Sequence, residues 1–228
     1  MAARAEELEV FRKFGVYHKV KIKECYDVTG KAPIGIRWVD VNKGDDENPE
    51  YRSRLVAKEI KKDDRTDLFA ATPPLEAKKM LFSLAVTEGV GYQRGDWRKG
   101  MKLDFIDIKR AYFHAAAKRD LYIKLPDEDQ KEGHCGKLDK SMYGTRDAAQ
   151  NWEEEYSNWL IEIGFSRGIA SPCVFYHSKK NIRVVTHGDD FTPLGYEESL
   201  DWFIEMLRRS LSTSTEEDWD PKTRTTKR

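Results

Sequence analysis

Val184-Val185-Thr186-His187-Gly188-Asp189-Asp190-Phe191 sets two adjacent carboxylates between an apolar, β-type run and a second short run, Phe191 to Leu194. The glycine just before them permits a tight turn. The pattern predicts a β-hairpin with an acidic tip. Such a tip can present carboxylate oxygens to a hard divalent cation, provided a third carboxylate arrives from elsewhere in the chain. An aspartate pair alone says little, because Asp45-Asp46 and Asp63-Asp64 are pairs too and both read as hydrated loop. The apolar strand on its N-terminal side sets Asp189-Asp190 apart.

The candidate third carboxylate is Asp107. Leu103-Asp104-Phe105-Ile106-Asp107-Ile108 is a short β run, with Asp104, Ile106 and Ile108 on one face and Phe105 and Asp107 on the other. Asp107 closes this strand just before Lys109-Arg110-Ala111-Tyr112-Phe113-His114, where the chain turns into a helical or irregular segment. Taken alone, an aspartate in that place equally suits a helix N-cap.

Upstream, Ile34 to Val39 and Tyr51 to Lys58 are two β runs. Between them Asn42 to Glu50 holds Gly44, Asp45, Asp46, Asn48 and Pro49, so the pair predicts a hairpin with a turn-rich loop. Arg52, Arg54 and Lys58 share parity and project from one face. Three cations there suit a triphosphate, whose oxygens take strong charge-assisted bonds. They equally suit a strand face guarded by charge against edge pairing.

The remaining elements follow from period and punctuation. Ala2 to Arg12 is a short helix and Val16 to Ile22 a strand. Thr72 is the expected N-cap before Pro73, opening a helix whose Leu75, Leu81, Phe82, Leu84 and Ala85 pack in the core and which ends near Gly89. Leu121 to Leu125 is a strand closed by Pro126, followed by a polar loop from Asp127 to Gly136. Asp147 and Gln150 have capping-box spacing at the start of a helix striped by Trp152, Tyr156, Trp159, Leu160 and Ile163 and stopped by Gly164. Cys173 to Tyr176 and Ile182 to Thr186 are strands. Leu200, Phe203, Ile204, Leu207 and Leu211 define a last amphipathic helix, and the polar tail from Ser212 is expected to be disordered. The order β–α–β–β–α makes the fold class α+β, an antiparallel sheet backed by helices.

Composition narrows the setting. The 228 residues carry 40 basic and 40 acidic side chains, so global charge gives no sign of nucleic acid and any basic groove must be local. Cys25, Cys135 and Cys173 lack metal or disulfide spacing and fit reduced thiols. Gly133-His134-Cys135-Gly136 has no partner ligands and reads as a loop. No apolar run approaches the ~18 residues of a membrane span, and the N-terminus lacks a signal-peptide core. An intracellular protein without a membrane partner is expected, in a cytoplasmic particle or the nucleus.

Five blocks in order resemble a known family. Arg54-Leu-Val-Ala-Lys58, Asp107-Ile-Lys-Arg-Ala-Tyr-Phe113, Leu121-Tyr-Ile-Lys-Leu-Pro126, Lys140-Ser-Met-Tyr-Gly144 with Trp152, and Gly188-Asp189-Asp190 are similar to the reverse transcriptase of copia-type LTR retrotransposons. The resemblance covers roughly Ile34 to Leu211. It implies a polymerase palm-like sheet over residues 101–211, fingers with a β-hairpin over 34–100, an N-terminal extension at 1–33 and a tail at 212–228. It implies RNA-directed DNA synthesis on an RNA or DNA template with a primer, deoxynucleoside triphosphates as substrates, and two Mg²⁺ ions, or Mn²⁺. By resemblance, Asp107, Asp189 and Asp190 are the catalytic metal ligands with the Ile108 carbonyl. Arg54 and Lys58, with Arg52, bind substrate, and Tyr112 reads the sugar. Integrase and ribonuclease H would be neighbouring polyprotein domains.

The chain also departs from the family pattern. His187-Gly188 stands where many relatives have Tyr-Val, and the glycine is expected to loosen the hairpin by ~0.5–1 kcal/mol. Asp147 stands where many have a nucleotide-contacting Gln, bringing an anion toward a polyanion. Besides a truncated or inactive polymerase module, a non-catalytic nucleic-acid-binding remnant and a two-metal phosphohydrolase use the same features.

Overall fold

The computed structural model describes residues 2–60, 68, 70–96 and 100–211. In chain order they form α1 (Ala2–Phe14), β1 (Tyr17–Lys21), α2 (Ile22–Thr29), β2 (Ile36–Asn42), β3 (Tyr51–Ala57), α3 (Leu75–Ala85), β4 (Lys102–Leu103), β5 (Ile106–Asp107), α4 (Ala111–His114), β6 (Tyr122–Ile123), a 3₁₀ turn (Asp127–Asp129), β7 (His134–Leu138), α5 (Ala148–Glu162), β8 (Ser166–Arg167), β9 (Val174–His177), β10 (Ile182–His187), β11 (Asp190–Gly195) and α6 (Glu197–Leu211). The class is mixed α and β with antiparallel sheets. Two compact units divide the chain, and neither is continuous in sequence: Met1–Phe69 with Tyr112–Trp152, and Ala70–Ala111 with Glu153–Arg228. The pair Asp63-Asp64 and the tail from Ser212 lie outside the described residues. Among the described residues no helix is long and apolar enough to cross a membrane.

In the first unit β2 and β3 pair from Ile36↔Ala57 to Asn42↔Tyr51. Alternation decides which face is covered. Ser53, Leu55 and Ala57 are buried while Arg52, Arg54 and Lys58 are exposed. Asn42 shapes the hairpin loop by accepting from the N–H groups of Gly44 and Glu50. Asp45 accepts from Glu47 and Asn48, so the Asp45-Asp46 pair is a turn in an exposed loop, as expected. Leu8 and Phe11 of α1 join Leu55, Phe113, Ile123 and Met142 in one core cluster.

The second unit is built on a six-stranded sheet of order β4-β11-β10-β9-β8, with β5 also paired to β11. Its central strands are buried at consecutive positions, which requires cover on both faces. Val185 and Leu194 pack in a cluster with Ala77 and Leu81 of α3. Thr186, of opposite parity, donates from its hydroxyl to the Tyr156 oxygen of α5 at 3.2 Å. The Phe191 ring meets Tyr156 edge-on at 5.3 Å. Leu200, Phe203, Ile204 and Leu207 form the buried stripe of α6, the i, i+3, i+4, i+7 pattern of an amphipathic helix.

Several local expectations are corrected. The third helix starts at Leu75 rather than Pro73, its cap position is Pro74, and no side chain caps it. Leu75 and Phe82 are exposed, and only Ala77 and Leu81 of that helix are buried. Gly133-His134-Cys135-Gly136 is not a loop: residues 134–138 are the central strand between β1 and β6. Backbone pairing holds this strand although a glycine breaks its side-chain pattern. Ile22–Thr29 is a helix that the periodicity could not reveal, since it buries Cys25 alone and exposes Tyr26 and Val28.

Candidate functional site

The pairing register builds the acidic centre. β10 and β11 pair down to His187↔Asp190, leaving Gly188 and Asp189 as a two-residue turn. Gly188 has φ +63 and Asp189 has no positive φ, the pattern of a type II′ hairpin turn, in which the first central residue is glycine. The expected loosening is therefore replaced by a conformational requirement for glycine. Asp107 then arrives by sheet pairing. β5 lies antiparallel to β11 with Asp190↔Asp107 and Phe191↔Ile106 in register. The Ile108 N–H donates to the Asp189 carbonyl at 3.0 Å, and the Asp104 N–H to that of Pro193, also at 3.0 Å.

Side-chain alternation separates the two faces of this segment. Asp104, Ile106 and Ile108 are buried, as is Phe191 across the pair. Asp107, Asp189 and Asp190 are exposed, and one carboxylate oxygen from each lies within 4.8 Å of the others. Oxygen ligands stand about 2.0–2.6 Å from a hard divalent cation, so two ligands of one ion are at most about 4–5 Å apart. The donor set is all oxygen and its spacing fits such an ion. Like charges directly opposite in an antiparallel pair disfavour the sheet, and a bound cation reverses that sign.

The basic and aromatic candidates belong to the first unit. The Arg54 guanidinium stands 5.4 Å from the ring centre of Tyr143. The Tyr143 and Tyr112 rings are 4.7 Å apart at an interplanar angle of 41°. Tyr112 is half-buried, and the fully buried neighbour is Phe113. Arg52 and Lys58 are exposed on the same strand face as Arg54.

Asp147 directly precedes α5, the place expected of a helix cap, and its carboxylate is also held in an ion pair. Arg119 donates to its carboxylate from Nε at 2.9 Å and from Nη2 at 2.8 Å. The same guanidinium donates twice to Glu59, at 3.0 Å each, and Glu59 also accepts from the Arg146 N–H at 2.7 Å. Burial by itself pushes the Asp147 pKa up, but the Arg119 hydrogen bonds and charge outweigh it and hold the carboxyl below its ordinary value. The Arg119 guanidinium beside it offsets the charge of this anion. Arg119 and Glu59 went unflagged because their partners are far apart in sequence. Tyr143 was visible only as one letter of a motif.

The profile of a family described as reverse transcriptase (RNA-dependent DNA polymerase) matches residues 21–211. The retrovirus-related Pol polyprotein from transposon TNT 1-94 of Nicotiana tabacum is 27% identical over 226 residues, 94% of this chain and 16% of that protein. The Pol polyprotein from transposon RE1 of Arabidopsis thaliana is 26% identical over 175 residues, 73% of this chain and 11% of its own length. That from transposon RE2 of the same plant is 24% identical over 194 residues, 81% of this chain and 13% of its own. The chain thus spans 16% or less of the length of these relatives.

Proposed function

Because the chain belongs to the copia-type reverse transcriptase family, we propose that it is an RNA-directed DNA polymerase module, with fingers over residues 34–100 and palm over 101–211. The observation that carries the assignment is the convergence of Asp107, Asp189 and Asp190 from two paired strands onto one exposed point. These carboxylates would hold two Mg²⁺ ions, or Mn²⁺, with the Ile108 carbonyl as a further oxygen ligand. Divalent cations held by these residues would supply Lewis acidity toward a primer 3′ hydroxyl and positive charge toward a departing pyrophosphate.

The chain's own residues supply rigidity, charge and selection. Ile106, Ile108 and Phe191 anchor the acidic strand ends in the core, so the carboxylates need little reorganisation on binding. Arg54 and Lys58, with Arg52 beside them, take the triphosphate of an incoming deoxynucleotide. Tyr112 stands against the ribose 2′ hydroxyl. Template and primer are the nucleic-acid partners, and integrase and ribonuclease H the neighbouring domains of a full polyprotein.

Primer extension on an RNA template, with and without Mg²⁺, tests the proposal. Wild type should extend only with the cation, and Asp189→Asn should reduce extension at least about 100-fold. Cation binding and nucleic-acid binding without extension would replace the polymerase by a non-catalytic remnant. Phosphate release without a primer would instead indicate a phosphohydrolase.

A further inference from the structure

We infer that Tyr143 is a positioning residue that couples triphosphate recognition by Arg54 to sugar selection by Tyr112, an assignment that rests on the polymerase function proposed above. One ring touches both side chains: the Arg54 guanidinium lies 5.4 Å from its centre and the Tyr112 ring 4.7 Å. All three belong to one compact unit.

The backbone holds that ring in place. The Ala57 N–H donates to the Tyr143 carbonyl at 2.8 Å, so the residue is tied to the strand that carries Arg54. The next residue, Gly144, has φ +86, and a Cβ there would sit 2.0 Å from the Ala57 carbonyl oxygen. No other residue fits such an approach without moving the strand. On its inner side Tyr143 meets the buried Phe113 ring edge-on at 5.6 Å. The ring is therefore fixed against the core while its contacts with Arg54 and Tyr112 reach toward solvent.

The coupling has a direct electrostatic origin. A guanidinium over an aromatic face is held by the ring's negative quadrupole. When a triphosphate engages the same guanidinium, the pull on Tyr143 changes, and Tyr143 is the surface on which Tyr112 rests. Phosphate binding thereby adjusts the ring that meets the sugar. The consequence is a deoxyribose preference that depends on Arg54 even though Arg54 does not touch the sugar.

The test compares wild type, Tyr143→Phe, Tyr143→Leu, Arg54→Gln and a packing control, Leu138→Ala, whose side chain lies in the same core. Equilibrium binding of dATP and of ATP to the chain on a primer–template is measured with Ca²⁺ in place of Mg²⁺. Single-nucleotide extension with Mg²⁺ gives the kinetic counterpart. Tyr143→Phe should keep the dATP preference within about twofold, since the ring remains. Tyr143→Leu should weaken dATP binding about fivefold and lower the preference by a similar factor. Arg54→Gln, at an exposed position, should lower both affinity and sugar preference. Leu138→Ala should lose thermal stability and leave the preference unchanged.

A folded Tyr143→Leu with wild-type preference overturns the coupling. So does an Arg54→Gln that loses affinity alone, or a Leu138→Ala that shifts the preference equally. Should wild type bind deoxynucleotides selectively yet extend no primer, the polymerase assignment falls while the binding arms still decide the role of Tyr143. A wild type without any sugar preference overturns the coupling, while primer extension still decides the polymerase assignment.

Discussion

Replacing Arg119 with Met should strand two carboxylates at once. Arg119 bridges Glu59 and Asp147 with four bonds of 2.8–3.0 Å. The side chains of Arg119, Glu59 and Asp147 are 27%, 16% and 5% exposed. Breaking a fully buried pair by deleting one partner costs about 3–5 kcal/mol. The partial exposure of the guanidinium screens the pair, so about 2–4 kcal/mol is expected here. Asp147→Asn should cost less, about 1–2 kcal/mol, because the amide oxygen still accepts from Arg119. The double variant should cost less than the sum of the two, since the interaction can be lost only once.

The dependence on pH sharpens this expectation. Arg119 holds the Asp147 pKa below its unfolded value of about 3.9. A depressed carboxyl contributes stability that is present above the unfolded pKa and disappears as pH falls through the folded one. Without Arg119 the largest opposing influence is gone, and burial, which raises the pKa, weighs more against the remaining backbone and Asn151 hydrogen bonds. Protonation then relieves the variant while it harms the wild type, so the stability gap should narrow below about pH 4. Urea denaturation of both proteins between pH 7 and pH 3 measures the gap. A gap that is constant across that range, or a loss under about 0.5 kcal/mol at pH 7, would refute the bridge as a stabilising contact.

The hairpin tip and the acidic centre allow two further tests. Gly188 has φ +63 with open space around a Cβ, so Gly188→Ala should destabilise by about 1 kcal/mol through backbone strain alone. A gain in stability, the usual outcome of Gly→Ala at a compatible site, would show that the turn does not need glycine. Asp107→Asn removes one of three clustered charges, so it should melt at a slightly higher temperature than wild type in EDTA. It should also lack the upward melting shift expected of wild type with Mg²⁺, worth about 1.4 kcal/mol at ten times the dissociation constant. An equal Mg²⁺ response in both proteins would place the cation elsewhere.

Local pattern carried much of the molecule. Alternation around Ile106 set Asp107 on the face opposite Ile106 and Ile108, and the same rule gave Arg52, Arg54 and Lys58 one common face, which is exposed. The helical stripe of Leu200, Phe203, Ile204 and Leu207 was equally readable. Each of these depends on one short segment whose period is printed in its own residues. Where such a period was missing, the reading failed. The strand at 134–138 exists because β1 and β6 flank it, and no side-chain pattern within five residues announces that.

The acidic residues of the site were determined by sequence, and their assembly was not. That Asp189 and Asp190 sit at a hairpin tip follows from the turn glycine and its apolar flanks. That Asp107 faces Asp190 depends on the register of two strands far apart in the chain, and a slip of one residue would turn its carboxylate to the other face. Asp147 shows the opposite limit. Its identity and position suggested a cap or a repelling charge, yet its chemistry is set by Arg119 and Glu59. A charged side chain takes its pKa and its role from whatever the fold places within a few ångströms, and only the tertiary structure decides which groups those are.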